Sequence, residues 1–425
     1  MDVQSDQGAA RPSRVPVWGL LGSTALSVTG NAIVGVAMPI LVLQRTGSAV
    51  LAGVVAAAAA APLVLSALFG GALVDRFGRR RSSVAADLLS AAAVAALPLL
   101  DMTVGLGIPV ILALVALGAV FDGPGMAARE SLRPDVAARA KLPLEKINSW
   151  GEAVDGIGGV AGPGLAGVLI AVIGPMNTLW ATVIMFFLAS LLTFAVVPST
   201  EVRGADRPPA EPYWQSVWQG LKFVWTEGAL RATALTGMLI VLFLAPITSV
   251  IMPAMMFQAG RPEQTGFVLA LFAVGGIIGA IGYGVIARWA SRRASLLGAL
   301  LLTSVAFCGF ALSTEFGWLL TLALITGVVS GPINPVTAVV MQERTPEHMR
   351  GRVIGTVASL SLAASPLGAV VAGPIVEFSG PATAFVIIGA GCLLATAYAA
   401  LTPGLRRIEP SQAPFAPAPE KANTR

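Results

Sequence analysis

Four carboxylates, Asp87, Asp122, Glu152 and Asp155, are set in stretches that are otherwise almost wholly apolar. A carboxylate held in such surroundings without a basic partner can exchange a proton near neutral pH, and ionisable groups inside a bilayer mark ion or substrate paths by default. Asp87 stands six residues past Arg81, about 9 Å along a helix. Glu152 and Asp155, three apart, share one helical face. No lysine or arginine lies deep in these stretches to neutralise them. All four are proton-coupling candidates, with Asp87 and Glu152 preferred. For Asp122 and Asp155, close to span ends, pairing with loop arginines is an equal alternative. Glu377 closes its own apolar stretch and is expected near the outer surface.

Two amides complete the polar inventory. Asn31, in Thr29-Gly30-Asn31, cannot titrate but can hydrogen-bond a substrate. Asn334 sits in Gly331-Pro332-Ile333-Asn334-Pro335, where two prolines break a helix. That break is either a gating kink with freed carbonyls or a plain helix defect, and the kink is the favoured reading. Both amides are substrate-path candidates.

Other chemistries lack their residues. The one histidine is His348, and the two cysteines, Cys308 and Cys392, lie in apolar stretches, so no metal centre, cofactor or disulfide framework is expected. With 425 residues, 56% hydrophobic and 12% charged, the chain has about half the charge of a soluble domain. It is expected to be no enzyme and to bind no nucleic acid.

The elements that must carry these groups are membrane-spanning helices. A span needs about 20 mostly apolar residues and must satisfy its own backbone hydrogen bonds. Twelve stretches qualify: 17–43, 49–70, 83–103, 107–128, 148–173, 177–198, 232–258, 265–287, 294–313, 317–341, 353–377 and 382–402, called spans 1 to 12 below. With the N-terminus inside, 25 of the 27 Lys and Arg fall on inner segments and only Arg45 and Arg261 fall outside, as the positive-inside rule requires. Trp18, Trp150, Trp180, Trp289 and Trp318 sit at span ends as interfacial anchors. The expectation is a multi-pass protein of the inner (plasma) membrane with both termini cytoplasmic. Its organisation reads as an N-tail (1–16), a six-helix bundle (17–198), a linker (199–231), a second six-helix bundle (232–402) and a C-tail (403–425). In the linker, Trp214, Trp218, Leu221 and Trp225 recur at helical spacing, which predicts an amphipathic helix along the inner face.

The halves repeat. Gly123-Pro124 recurs as Gly331-Pro332, and Ala166-Gly167 with Gly174-Pro175 recurs as Ala372-Gly373 with Gly380-Pro381. Gly71-Ala72-Leu73-Val74-Asp75-Arg76-Phe77-Gly78-Arg79-Arg80-Arg81 recurs in degraded form at Gly284 to Arg293, with Arg288 where the first copy has Asp75. The offsets are 208, 206 and 213 residues. Parallel six-helix repeats are the architecture in which two bundles rock about a central site.

The arginine-rich turn resembles the loop 2–3 signature of the major facilitator superfamily, in which that loop locks and releases the cytoplasmic side. The resemblance implies that Gly71, Asp75, Arg76, Gly78 and Arg79 are gate residues. It further implies an all-α membrane protein of 12 transmembrane helices in two pseudo-symmetric bundles. Gly158, Gly162, Pro163 and Gly167 resemble the span 5 antiporter motif of drug/proton exporters, with Ala166 in place of a glycine. Related exporters often carry Asp at the position of Asn31.

Several stretches together are similar to Tap-type multidrug efflux pumps. They are Phe77–Arg81 with Asp87, Gly125–Ser131, Ala137–Ala140, Gly331–Ile333, and Met349–Val353 with Ser365–Gly368. Asp87, Arg129, Glu152 and Arg352 fall on matching positions, whereas Asp122 and Asn31 depart. The resemblance implies a monomeric secondary transporter exporting drugs, of the tetracycline or aminoglycoside class, against protons by alternating access. Export of one endogenous metabolite, such as a siderophore or self-made antibiotic, is the alternative; uptake by symport is disfavoured by the span 5 motif.

Overall fold

The computed structural model describes residues 13–198, 213–346 and 349–409, with side chains omitted at 67–73, 75, 213–217, 351 and 407. Residues 199–212, the first part of the linker, lie outside it, as does His348.

The described residues are almost entirely helical. The first half holds α1 (Val15–Thr46), α2 (Ala49–Phe77), α3 (Arg79–Thr103), α4 (Ile108–Ala140) and α5 (Leu144–Val196). The linker contributes α6 (Tyr213–Thr226). The second half holds α7 (Gly228–Pro246), a π turn (Ile247–Ile251), α8 (Met252–Gln258), α9 (Gln264–Ile286), α10 (Arg292–Phe310), α11 (Phe316–Ser330), α12 (Ile333–Arg344) and α13 (Arg350–Leu401).

Among the described residues ten helical runs are long and apolar enough to cross a membrane, and two of them are double. The 53-residue α5 turns sharply at Gly174 (φ 79°, ψ 163°) and the 52-residue α13 at Gly380 (φ 81°, ψ 161°). Only glycine takes that backbone conformation without strain, and each is followed by a proline that starts the next helix. Each therefore supplies two spans, and the twelve apolar segments of the sequence are all helical. Span 7 is α7, the π turn and α8 in series. Span 10 is α11 and α12, interrupted at Gly331-Pro332 where the chain passes close against Gly279 and Ala280 of span 8.

The halves meet along two seams. In one, Gly53 of span 2 lies against Ala369 and Gly373 of span 11; in the other, Gly266 of span 8 lies against Pro163 and Gly167 of span 5. The internal repeat superimposes these contacts, since offsets of 213 and 206 carry Gly53 to Gly266 and Gly373 to Gly167. Small residues let the backbones approach, which is how helices associate where lipid removes the hydrophobic drive between them. Both seams lie at the end of the bundle opposite the arginine-rich turn. There Met38, Ile40, Leu41, Ile251, Met255 and Val376 join one buried cluster spanning the two halves.

The linker helix packs Val224, fully buried, against Leu230, Val353 and Val357 at the feet of spans 7 and 11, while Trp218 and Trp225 point outward. Trp214 lies among the positions without described side chains.

Candidate functional site

Helical spacing assembles the polar groups of spans 1, 3 and 4 into two rungs. Ser27 and Asn31 are four apart, Asp87 and Ser90 three apart, Asp122 and Arg129 seven apart, so each pair shares a helix face. In the lower rung Arg129 donates to Asp87 Oδ1 at 2.9 Å, and Ser27 donates to the same oxygen at 2.9 Å. Asp87 and Arg129 are 3% and 5% exposed, so the charges neutralise each other away from water. In the upper rung Ser90 donates to Asp122 Oδ1 at 2.9 Å, and the Asn31 amide is within hydrogen-bonding reach of the same carboxylate.

The rungs differ in charge. Asp87 has a guanidinium in contact, which corrects the expectation that no basic group lies deep enough to reach it. The physical reason is that the helix carrying Arg129 runs on to Ala140, so the guanidinium is enclosed by spans 1 and 3 instead of standing in a loop. Asp122 accepts only from neutral donors among the described hydrogen bonds, with the Arg129 guanidinium acting on it through space, and it faces open space.

That space is a cavity of about 410 Å³ between the halves. Asn31, Ser90, Asp122, Met126 and Phe186 line it from the first half, Ala245, Thr248, Ser365 and Ala369 from the second. No lysine or arginine is among its lining residues. A site of this composition can hold one cation, organic or a proton, against one carboxylate.

Glu152 and Asp155 are placed otherwise. Arg133 reaches both, at 3.5 and 3.4 Å, and the Glu152 side chain is 76% exposed. They form a surface pair with a basic residue beside them, and neither is among the residues that line the cavity.

The class of the chain follows from its similarity to known proteins. The chain matches the Major Facilitator Superfamily profile over residues 20–290 and again over 238–424. It is 38% identical over 405 residues to the multidrug efflux pump Tap of Mycolicibacterium fortuitum, covering 94% of this chain and 99% of that one. It is 35% identical over 404 residues to the multidrug efflux pump Tap of Mycobacterium tuberculosis, covering 93% and 96%. The chain belongs to the major facilitator superfamily. It is a multi-pass membrane transporter and not an enzyme. The fold agrees with that of a bacterial homologue of the human lysosomal transporter Spinster, solved inward-facing and unoccupied: TM-score 0.74, 12% identity, 95% of this chain and 100% of that one covered.

In this member of the superfamily the arginine-rich turn lies at a helix junction. Gly78 (φ 86°) ends α2 and begins α3. Arg79 donates from Nη1 to both Asp135 oxygens at 2.9 Å, and Arg80 reaches the Phe194 carbonyl while lying over its ring at 4.9 Å. Arg76 is exposed, stacked over Phe77. Gly71 and Asp75 are in α2, but their side-chain positions lie outside the described residues.

The degraded second copy makes the same ties. Arg292 donates to Glu343 at 2.6 and 2.8 Å, and Arg293 donates to the Ala400 carbonyl at 2.8 Å. The repeat offsets map Arg79 to Arg292, Asp135 to Glu343, Arg80 to Arg293 and Phe194 to Ala400. Each half thus pins the start of its third helix to its fourth and sixth. Arg292 and Glu343 lie beyond the ends of the apolar stretches, where the paired hydrogen bonds from Arg292 hold the Glu343 carboxyl below its ordinary value.

The span 5 motif is a packing surface on two sides. A methyl at Gly158 would come within 2.8 Å of Val28 in span 1, and Gly162 lies against Ala32 and Thr29 of that span. Pro163 and Gly167 face span 8 across the seam. Asn334 does not reach the central cavity; it lines a second one inside the second half. Sequence reasoning missed Ser27, Ser90 and Asp135; the available signal was helical spacing from Asn31 and Asp87 for the first two and the repeat offset to Glu343 for the third.

Proposed function

We propose that this transporter exports cationic or amphipathic drugs in exchange for protons, by alternating access, with Asp122 as the group that holds either a drug cation or a proton. The observation that carries this reading is a carboxylate with only neutral hydrogen-bond donors on the wall of a cavity shared by both halves. Similarity to two Tap multidrug efflux pumps along nearly the whole chain supports the drug class of substrate; tetracyclines and aminoglycosides are the first compounds to test.

The cycle follows from charge. With the arginine-rich end cytoplasmic, as the distribution of basic residues favours, both seams seal the outer side and the cavity loads from the inside. An organic cation neutralises Asp122, which removes the cost of enclosing a carboxylate with no cation in contact and lets the inner end close. After outward opening, a proton from outside takes the carboxylate and the cation leaves. The protonated site is again neutral and returns inward, where the proton departs. Asp87 is already neutralised by Arg129 and serves as the fixed rung that orients spans 1, 3 and 4. We assign the protein to the plasma membrane as a monomer with both termini cytoplasmic.

The test is ethidium efflux from a pump-deficient host expressing this chain. Efflux is expected to stop when an uncoupler collapses the proton gradient. Asp122→Asn is expected to abolish uphill efflux while the protein still accumulates in the membrane. Wild-type efflux that survives the uncoupler rejects the coupling; unaltered efflux by Asp122→Asn rejects the assignment of the carboxylate.

A further inference from the structure

The central cavity has a neighbour. Ala245 and Thr248 line it, and the same two residues line a second cavity of about 340 Å³ enclosed by the second half. Phe272, Phe307, Phe310 and Met252 form much of its wall, with Asn334 as its amide. It contains no charged side chain among its lining residues.

The internal repeat explains the contrast. The offset of 208 carries Asp122 to Ser330 and Arg129 to Thr337, so the second half has hydroxyls where the first has charges. Between the two cavities runs the junction of α7 and the π turn, at Ala245–Thr248. A π turn is wider than an α turn and occurs mostly at functional positions. Here it follows Pro246, with one of the smallest side chains, Ala245, just before that proline and Thr248 in the turn itself, both at the partition.

Size and chemistry define what would bridge the partition. Each cavity alone is near the lower limit of roughly 300–1,000 Å³ for drug-sized ligands. A ligand filling both would meet a carboxylate in one and aromatic faces in the other, which favour offset or edge contacts with a second ring system. A positive charge has a partner only in the first.

We propose that the second cavity is an apolar subsite that takes the aromatic ring system of an organic cation whose charged group sits against Asp122, with Ala245 and Thr248 forming the neck between the two. This rests on the drug-export reading and adds to it a defined substrate shape: a charged centre joined to a flat or bulky aromatic body.

The experiment is photolabelling of the full-length protein in lipid nanodiscs with azidoethidium, followed by peptide mapping. Ethidium-protectable adducts are expected on residues 252–272 or 307–334, none of which lines the first cavity. Adducts confined to the first-half wall, between residues 31 and 126, overturn the subsite. As a second measurement, Val241→Trp fills the second cavity from a residue that does not line the first. It is expected to weaken ethidium binding about tenfold and to leave tetraethylammonium binding within about twofold. Equal loss for both cations overturns the proposal. Ethidium export by whole cells, measured alongside, separates the two claims: export without second-half adducts rejects the subsite alone. Absent export together with absent protectable labelling rejects the drug-export reading and the subsite with it.

Discussion

Glu377, in the second half, accepts the Ser48 hydroxyl at 2.6 Å and the Val50 backbone N–H at 2.8 Å, across the seam between the halves. Its carboxylate thereby caps the start of span 2, where exposed N–H groups and the helix dipole favour negative charge. The contact has no twin. The offset of 206 puts Ala171 at the position of Glu377, so the span 5–8 seam has paired small residues without that cap, and its acidic residue, Glu263, starts span 8 with its backbone against Gly167. Closure at this end is therefore asymmetric in its cross-seam hydrogen bonds although symmetric in packing.

Glu377→Ala is expected to shift the protein towards opening at that end, by about threefold to tenfold in the open-to-closed ratio. Spin labels on the loops joining spans 1–2 and 11–12 measure it. An unchanged distance distribution would show that the small-residue packing alone holds the seam.

The two embedded aspartates should separate cleanly on substitution. Asp87→Ala strands the buried Arg129 charge, and losing one partner of a buried pair costs about 3–5 kcal/mol. A large fall in melting temperature in detergent, partly restored by Asp87→Asn with Arg129→Gln, is the expected result. Asp122→Asn keeps both hydrogen-bond neighbours supplied and should melt within a few degrees of wild type. The reverse ranking would mean that the lower rung is dispensable to folding.

The arginine ties at the opposite end are partly exposed, and such pairs contribute about 0–1 kcal/mol each. Arg79→Ala and Arg292→Ala should each lower stability by less than about 1 kcal/mol and add when combined, because they act in different halves. The Glu343 tie also sets a pH dependence. Its carboxyl is held below the usual 4.5 by Arg292, so its contribution is present above that pH and fades as pH falls through the lowered value. The small melting difference between wild type and Glu343→Gln should vanish in acid, and a difference that grew in acid would contradict the sign.

Gly162 offers a steric test. A side chain there meets Ala32 and the Thr29 carbonyl of span 1. Gly162→Val should cost about 1–3 kcal/mol by overpacking and should reduce efflux in proportion to folded protein. Loss of transport in a fully stable variant would give the span 5 motif a role beyond packing.

Much of this protein follows from sequence alone, for reasons particular to membranes. Backbone satisfaction in lipid permits only helices at these apolar stretches, so all twelve were legible from hydropathy, and Gly174-Pro175 and Gly380-Pro381 marked where two of them turn. The repeat offsets likewise paired Arg79 with Arg292 before any contact was known. What composition could not supply was the neighbour of each carboxylate. Asp87, Asp122 and Glu152 look alike along the chain, but one meets a buried guanidinium, one a cavity and one the exposed surface beside Arg133, because spans 1, 3, 4 and 5 are packed in a rotation that a single sequence does not specify. The second cavity was equally invisible: only the folding of spans 7, 8, 9 and 10 around a π turn leaves space between Phe272, Phe307 and Phe310.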